Sequence, residues 1–87
     1  MEPGTEATVH VRLFARAREL AGADTLDLTV PGAAKVGDVR RLIGELHPAL
    51  RGLLARSALA VNGEFADDSQ PVPPGAEVAL LPPVSGG

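Results

Sequence analysis

The chain has 87 residues, a formal charge of −3 and 45% apolar residues, yet only two aromatics, Phe14 and Phe65. That is one small domain with a core of Leu, Val, Ile and Ala; a deep active-site cavity is excluded, as is a nucleic-acid groove, which needs a concentrated positive surface. With no cysteine there is no disulfide framework, thiolate metal site or cysteine nucleophile, and His10 and His47 stand apart in no ligand-spaced cluster, so no metal is expected.

In chain order, Met1 to Ala7 (MEPGTEA) is too polar for a signal peptide, and no apolar stretch is long enough to span a bilayer. Residues 1–7 read as a flexible extension, with no membrane association and a cytoplasmic address expected by default. Thr8 to Phe14 (TVHVRLF) alternates, with Val9, Val11 and Leu13 on one face and His10, Arg12 and Phe14 on the other, which predicts a half-buried strand. Ala15 to Leu20 (ARAREL) predicts a short helix stopped by Ala21-Gly22, since Gly adopts the left-handed conformation that ends a helical turn. Thr25 to Val30 (TLDLTV) is a second strand, closed by Pro31-Gly32.

Val36 to Leu46 carries Val36, Val39, Leu42, Ile43 and Leu46 at helical spacing, with Asp38 near the positive end of the helix dipole; it is the main helix. His47-Pro48 ends it, and Pro48 opens a second short turn through Leu53-Leu54. Leu59 to Asp67 (LAVNGEFAD) holds Asn62-Gly63 between two short strands, the signature of a two-residue hairpin with positive φ at both positions. Pro73-Pro74-Gly75 makes a further turn, and Glu77 to Leu81 (EVALL) is the last strand, stopped by Pro82-Pro83. The order predicts an α+β roll, a domain over residues 8–83, in which the helical crossover allows the last strand to lie parallel beside the first.

Strand parity predicts a second face. If Val9, Val11 and Leu13 meet the helix, Phe14 points away; across Asn62-Gly63, Val61 opposes Glu64 and Phe65 opposes Ala60, and Leu81 lies outside with Ala79. Phe14, Phe65 and Leu81 then share the uncovered side, as an interface patch or as a secondary core beneath loops. Arg16, Arg18 and Glu19 read as a solvated helical face, Asn62 as a turn former, Asp67-Asp68 as a solvated loop and Gly37-Asp38 as helix capping.

The chain closes with Pro82-Pro83-Val84-Ser85-Gly86-Gly87. The prolines stiffen the exit from the sheet, and the four residues 84–87 reach roughly 13 Å at about 3.3 Å each, enough to carry a carboxylate into another protein's pocket. Glycines without Cβ make that arm slender. No GxxxxGK[ST] loop and no general base beside the tail is apparent, so any activation of the carboxylate belongs to partners.

Leu13 to Gly22 (LFARARELAG), Asn62, the Gly75 to Glu77 turn (GAE) and the closing PPVSGG resemble the small subunits of molybdopterin synthase, over about Val9 to Gly87. The sequence departs from them at Leu80-Leu81, where the family often has aromatic residues. The resemblance implies a ubiquitin-like β-grasp fold, a small mixed sheet packed on one main helix, with a sulfur-carrying tail over residues 84–87. It implies that an E1-like adenylyltransferase activates Gly87 with ATP, that sulfur replaces one oxygen to give a thiocarboxylate, and that the large synthase subunit inserts Gly86 and Gly87 to build the dithiolene of molybdopterin. No bound cofactor and no catalysis by the chain alone are implied, and the assembly implied is a heterotetramer of two small and two large subunits. The competing readings are a thiamine-type sulfur carrier, a ubiquitin-like protein modifier and a β-grasp module that only binds.

Overall fold

The computed structural model describes residues 6–83. Its elements are β1 (Glu6–Leu13), α1 (Ala15–Ala21), β2 (Thr25–Pro31), α2 (Val36–Leu46), a 3-10 turn (Pro48–Leu50) running into α3 (Arg51–Leu54), β3 (Ala58–Val61), β4 (Glu64–Ala66) and β5 (Glu77–Leu81). The strands form one mixed sheet in the order β2-β1-β5-β3-β4. β1 is antiparallel to β2 and parallel to β5, and β3 is antiparallel to both β5 and β4. The parallel central pair is what the helical crossover permits, because a hairpin can join only antiparallel neighbours.

Each strand buries the face its alternation specifies. Val9, Val11 and Leu13, Leu28 and Val30, Leu59, and Val78 and Leu80 are buried with Val36, Val39 and Ile43 of α2 and with Leu50 and Leu54 behind it. Leu46, which helical spacing groups with that stripe, is instead 54% exposed. It lies in the last turn of α2, and Leu50 of the following 3-10 turn is the side chain buried there.

β1 begins two residues before the expected Thr8, because β2 runs on to Pro31 and supplies partners for both: Glu6 pairs with Pro31 and Ala7 with Val30. Glu6 and Ala7 therefore belong to the sheet and not to an N-terminal extension. At the start of α2 the Asp38 carboxylate accepts the Lys35 backbone N–H at 2.9 Å, satisfying an amide next to the helix end, so this segment is a cap as expected. Arg40 ties the layers together. Its guanidinium donates to the carbonyls of Leu54 and Ser57, which close α3 and lead into β3, and meets Asp68 at 3.0 Å.

Candidate functional site

Among the described residues the helices leave the other face of the sheet bare, and the strand register arranges that face in three rows. The middle row crosses all five strands as Phe65, Ala60, Ala79, Arg12 and Thr25. One step toward the start of β5 the row is polar: Glu77, His10 and Asp27, continued on the far side by Asn62. One step toward its end the row is apolar, with Ala58 opposite Leu81, and Phe14 one residue beyond the Leu13–Leu80 pair. Apolar character thus rises along β5 toward the point where the chain leaves the sheet at Pro82-Pro83.

Local backbone geometry sets each of the predicted residues. Phe14 keeps an extended conformation (φ −126°, ψ 155°), so it continues the parity of β1 and lies on the bare face, 38% exposed. Ala15 then takes φ +52°, turning the chain abruptly into α1 so that Ala17 is buried while Phe14 is not. The Arg12 guanidinium sits 5.7 Å from the Phe14 ring centroid, within cation–π range, and 3.6 Å from Glu77. Phe65 is 75% exposed in the middle of the three-residue edge strand β4. Leu81 is half-buried and stands between the rings, one strand from Phe14 and two from Phe65. Small side chains at Ala58, Ala60 and Ala79 floor the space between them. Gly86 and Gly87, where any acyl chemistry would occur, lie outside the described residues.

The polar row is internally paired. His10 Nδ1 lies 2.8 Å from an Asp27 carboxylate oxygen, with both side chains more than half exposed. Among the described residues there is no group of three His, Cys, Asp or Glu side chains that could hold a metal ion. A groove of about 410 Å³ between α2 and α3 is lined by Gly37, Arg40, Arg41, Gly44, Glu45 and Arg51. Its guanidinium groups are engaged within the chain: Arg40 as above, Arg41 with Asp38 and Glu45, and Arg51 with the Gly44 carbonyl. The apolar patch of Leu81 and Phe14 lies beside Pro82-Pro83, the last of the described residues.

Of the residues that carry the resemblance, Val84 to Gly87 lie outside the described residues, and the others have structural counterparts. Gly22 closes α1 at φ +72°, Asn62 and Gly63 take φ +49° and +87° in the hairpin, and Gly75 takes φ +74° as its N–H donates to Thr8. Parity reasoning did not single out Arg12, although its place beside Phe14 on β1 was available from the same alternation.

A five-stranded mixed sheet with parallel β1 and β5 at its centre and one long helix across a single face defines a ubiquitin-like β-grasp domain. The chain belongs to the ThiS family, whose match covers residues 11–87 and so runs through the terminal glycines. It is 38% identical over 82 residues to the molybdopterin synthase sulfur carrier subunit of Arabidopsis thaliana, covering 91% of this chain and 82% of that one. It is 38% identical over 84 residues to small archaeal modifier protein 1 of Haloferax volcanii, covering 87% and 97%. The crystal structure of that modifier superposes with a TM-score of 0.82 at 37% identity, over 93% of this chain and all of that one. The complex of subunits 1 and 2 of molybdopterin-converting factor from Helicobacter pylori contains a chain that matches with a TM-score of 0.66 at 27% identity, over 92% and 99%.

Proposed function

We propose that this chain is the sulfur-carrying small subunit of a molybdopterin synthase, acting through the carboxylate of Gly87. The observation that carries the reading is the apolar end of the bare sheet face, Leu81 with Phe14, at the root of a short arm ending in Gly86-Gly87. Relatives named as sulfur carrier subunits support it.

A terminal carboxylate is an anion at neutral pH and resists nucleophiles, so it must first acquire a leaving group. An E1-like adenylyltransferase transfers AMP from ATP to a Gly87 oxygen, releasing pyrophosphate. Sulfide attacks the acyl carbon, the bond to AMP breaks so that AMP departs with one oxygen, and loss of the proton on sulfur leaves a thiocarboxylate. In the large synthase subunit that sulfur passes to the pterin precursor and water restores the carboxylate. The chain itself supplies the arm and the docking face of Phe14, Phe65 and Leu81, holds no cofactor and catalyses nothing alone. The working assembly is a heterotetramer of two small and two large subunits in the cytoplasm.

The similarity to an archaeal modifier protein favours a second reading, in which the activated Gly87 carbonyl is captured by a lysine amine of another protein. The two readings diverge after adenylation. Incubation with the activating partner, ATP and a sulfur donor should exchange one terminal oxygen for sulfur, located by mass spectrometry to the C-terminal peptide. Deleting Gly87, or adding one residue after it, should abolish the exchange and leave the unfolding transition unchanged. A change mapping to an internal peptide, or exchange surviving both variants, would overturn the sulfur-carrier reading. Amide-linked conjugates formed without any thiocarboxylate would establish the modifier reading in its place.

A further inference from the structure

We infer that Asn62 is a positioning residue that sets the direction of Phe65 on the docking face, by clasping the β3–β4 turn to the first residue of β5. The inference rests on the docking role given above to Phe65.

The β3–β5 ladder, which pairs Ala58 with Leu81 and Val61 with Val78, continues in step to Asn62 and Glu77. The Asn62 N–H donates to the Glu77 carbonyl at 2.8 Å. In an antiparallel pair of this kind the two residues exchange both N–H···O bonds. Here the second cannot come from the Asn62 backbone, because φ +49° has already swung its peptide into the hairpin turn. The side chain replaces it: Asn62 Oδ1 accepts the Glu77 N–H at 3.0 Å. Asn62 is thus specified twice, by a left-handed backbone and by an acceptor placed where a strand carbonyl would lie. Gly meets only the first requirement, whereas Asp meets both.

The clasp matters because of what lies beyond it. β4 is an edge strand of three residues, Glu64–Ala66, paired among the described residues only with β3. Phe65 at its centre is 75% exposed, so little side-chain packing fixes its direction. Two hydrogen bonds between Asn62 and Glu77 stop the turn from pivoting on β5, and they hold Phe65 in one row with Ala60 and Ala79.

The test compares Asn62→Gly, which keeps the turn and removes the acceptor, with Asn62→Asp, which keeps both. In Asn62→Gly the Glu77 amide should exchange with solvent at least about tenfold faster while Val78 and Leu80 stay protected, and affinity for the large synthase subunit should fall about threefold to tenfold per folded molecule. Asn62→Asp should retain the slow Glu77 exchange and most of the affinity. Adding Phe65→Ala should cost less in the Asn62→Gly chain than in the parent, since the ring is no longer presented in one direction. Unchanged Glu77 exchange would show that the clasp is not formed. Unchanged affinity, or strictly additive losses, would show that it does not position Phe65 for docking. If Phe65→Ala in the parent leaves affinity intact, the docking face itself is wrong and the role of Asn62 falls with it, a failure distinguishable because it needs no change at Asn62.

Discussion

At position 15 the fold requires something the residue there resists. Ala15 has φ +52°, a conformation in which Cβ crowds the following carbonyl and which costs a non-glycine residue about 1 kcal/mol or more. The fold holds it there because Leu13 must be buried on one side of the sheet and Ala17 on the other side of the turn, with Phe14 outside between them. Ala15→Gly removes the crowding and adds chain entropy in the unfolded state, so the net stabilisation should be about 0.5–1 kcal/mol. For a domain of this size that is a rise in melting temperature of roughly 2–8 °C. A fall on calorimetry would mean that Ala15 does not occupy the left-handed region. Nothing in the sequence ARAREL announces this strain, since alanine is the strongest helix former and gives no turn signal. Asn62 is the opposite case: Asn-Gly announced the turn, but the clasp to Glu77 needs the register of a strand 15 residues away.

The elements themselves were largely written in local patterns. α2 runs from Val36 to Leu46 and β5 from Glu77 to Leu81, both as periodicity and proline stops predict, and the hairpin register places Phe65 opposite Ala60 as the two-residue turn requires. Bare-face placement of Phe14, Phe65 and Leu81 followed from the same parity. What local pattern does not carry is how the elements are joined, and Arg40 illustrates it: neighbouring residues on α2 give no sign of its partners, yet it donates to the carbonyls of Leu54 and Ser57. Removing it takes a charged donor from the Ser57 carbonyl and from the Leu54 carbonyl, which keeps the Ser57 N–H at 3.2 Å, so Arg40→Ala should cost about 2–3 kcal/mol in urea unfolding. Asp68→Ala should cost under about 1 kcal/mol, because the Arg40–Asp68 pair is an ion pair with its carboxylate largely in water. Equal losses from the two variants would show that the ion pair, and not the carbonyl contacts, is what Arg40 supplies.

Over the whole molecule the two sheet faces divide the work. One face, with α2 and Leu50 and Leu54 behind it, holds the core; the other is left with aromatic rings in solvent around an alanine floor. Stability and association should therefore respond to different residues, and Phe65 is the sharpest case. Its ring is 75% exposed, so Phe65→Ala removes little that is buried in the free chain, and unfolding free energy should change by less than about 1 kcal/mol. If that ring is covered when the large synthase subunit docks, the same change withdraws roughly 1.5–3 kcal/mol of apolar burial from the complex, which is about a tenfold to hundredfold loss of affinity. Phe14→Ala should show both effects at once: the ring is only 38% exposed and lies within 5.7 Å of the Arg12 guanidinium, so part of its contact is already made in the free chain. Urea unfolding of the isolated chain and calorimetric titration with the large subunit, on both variants, separate the two quantities. Severe unfolding of Phe65→Ala with unchanged affinity per folded molecule would place that ring in the core and end the docking-face assignment, while the chemistry proposed for Gly87 would stand untouched.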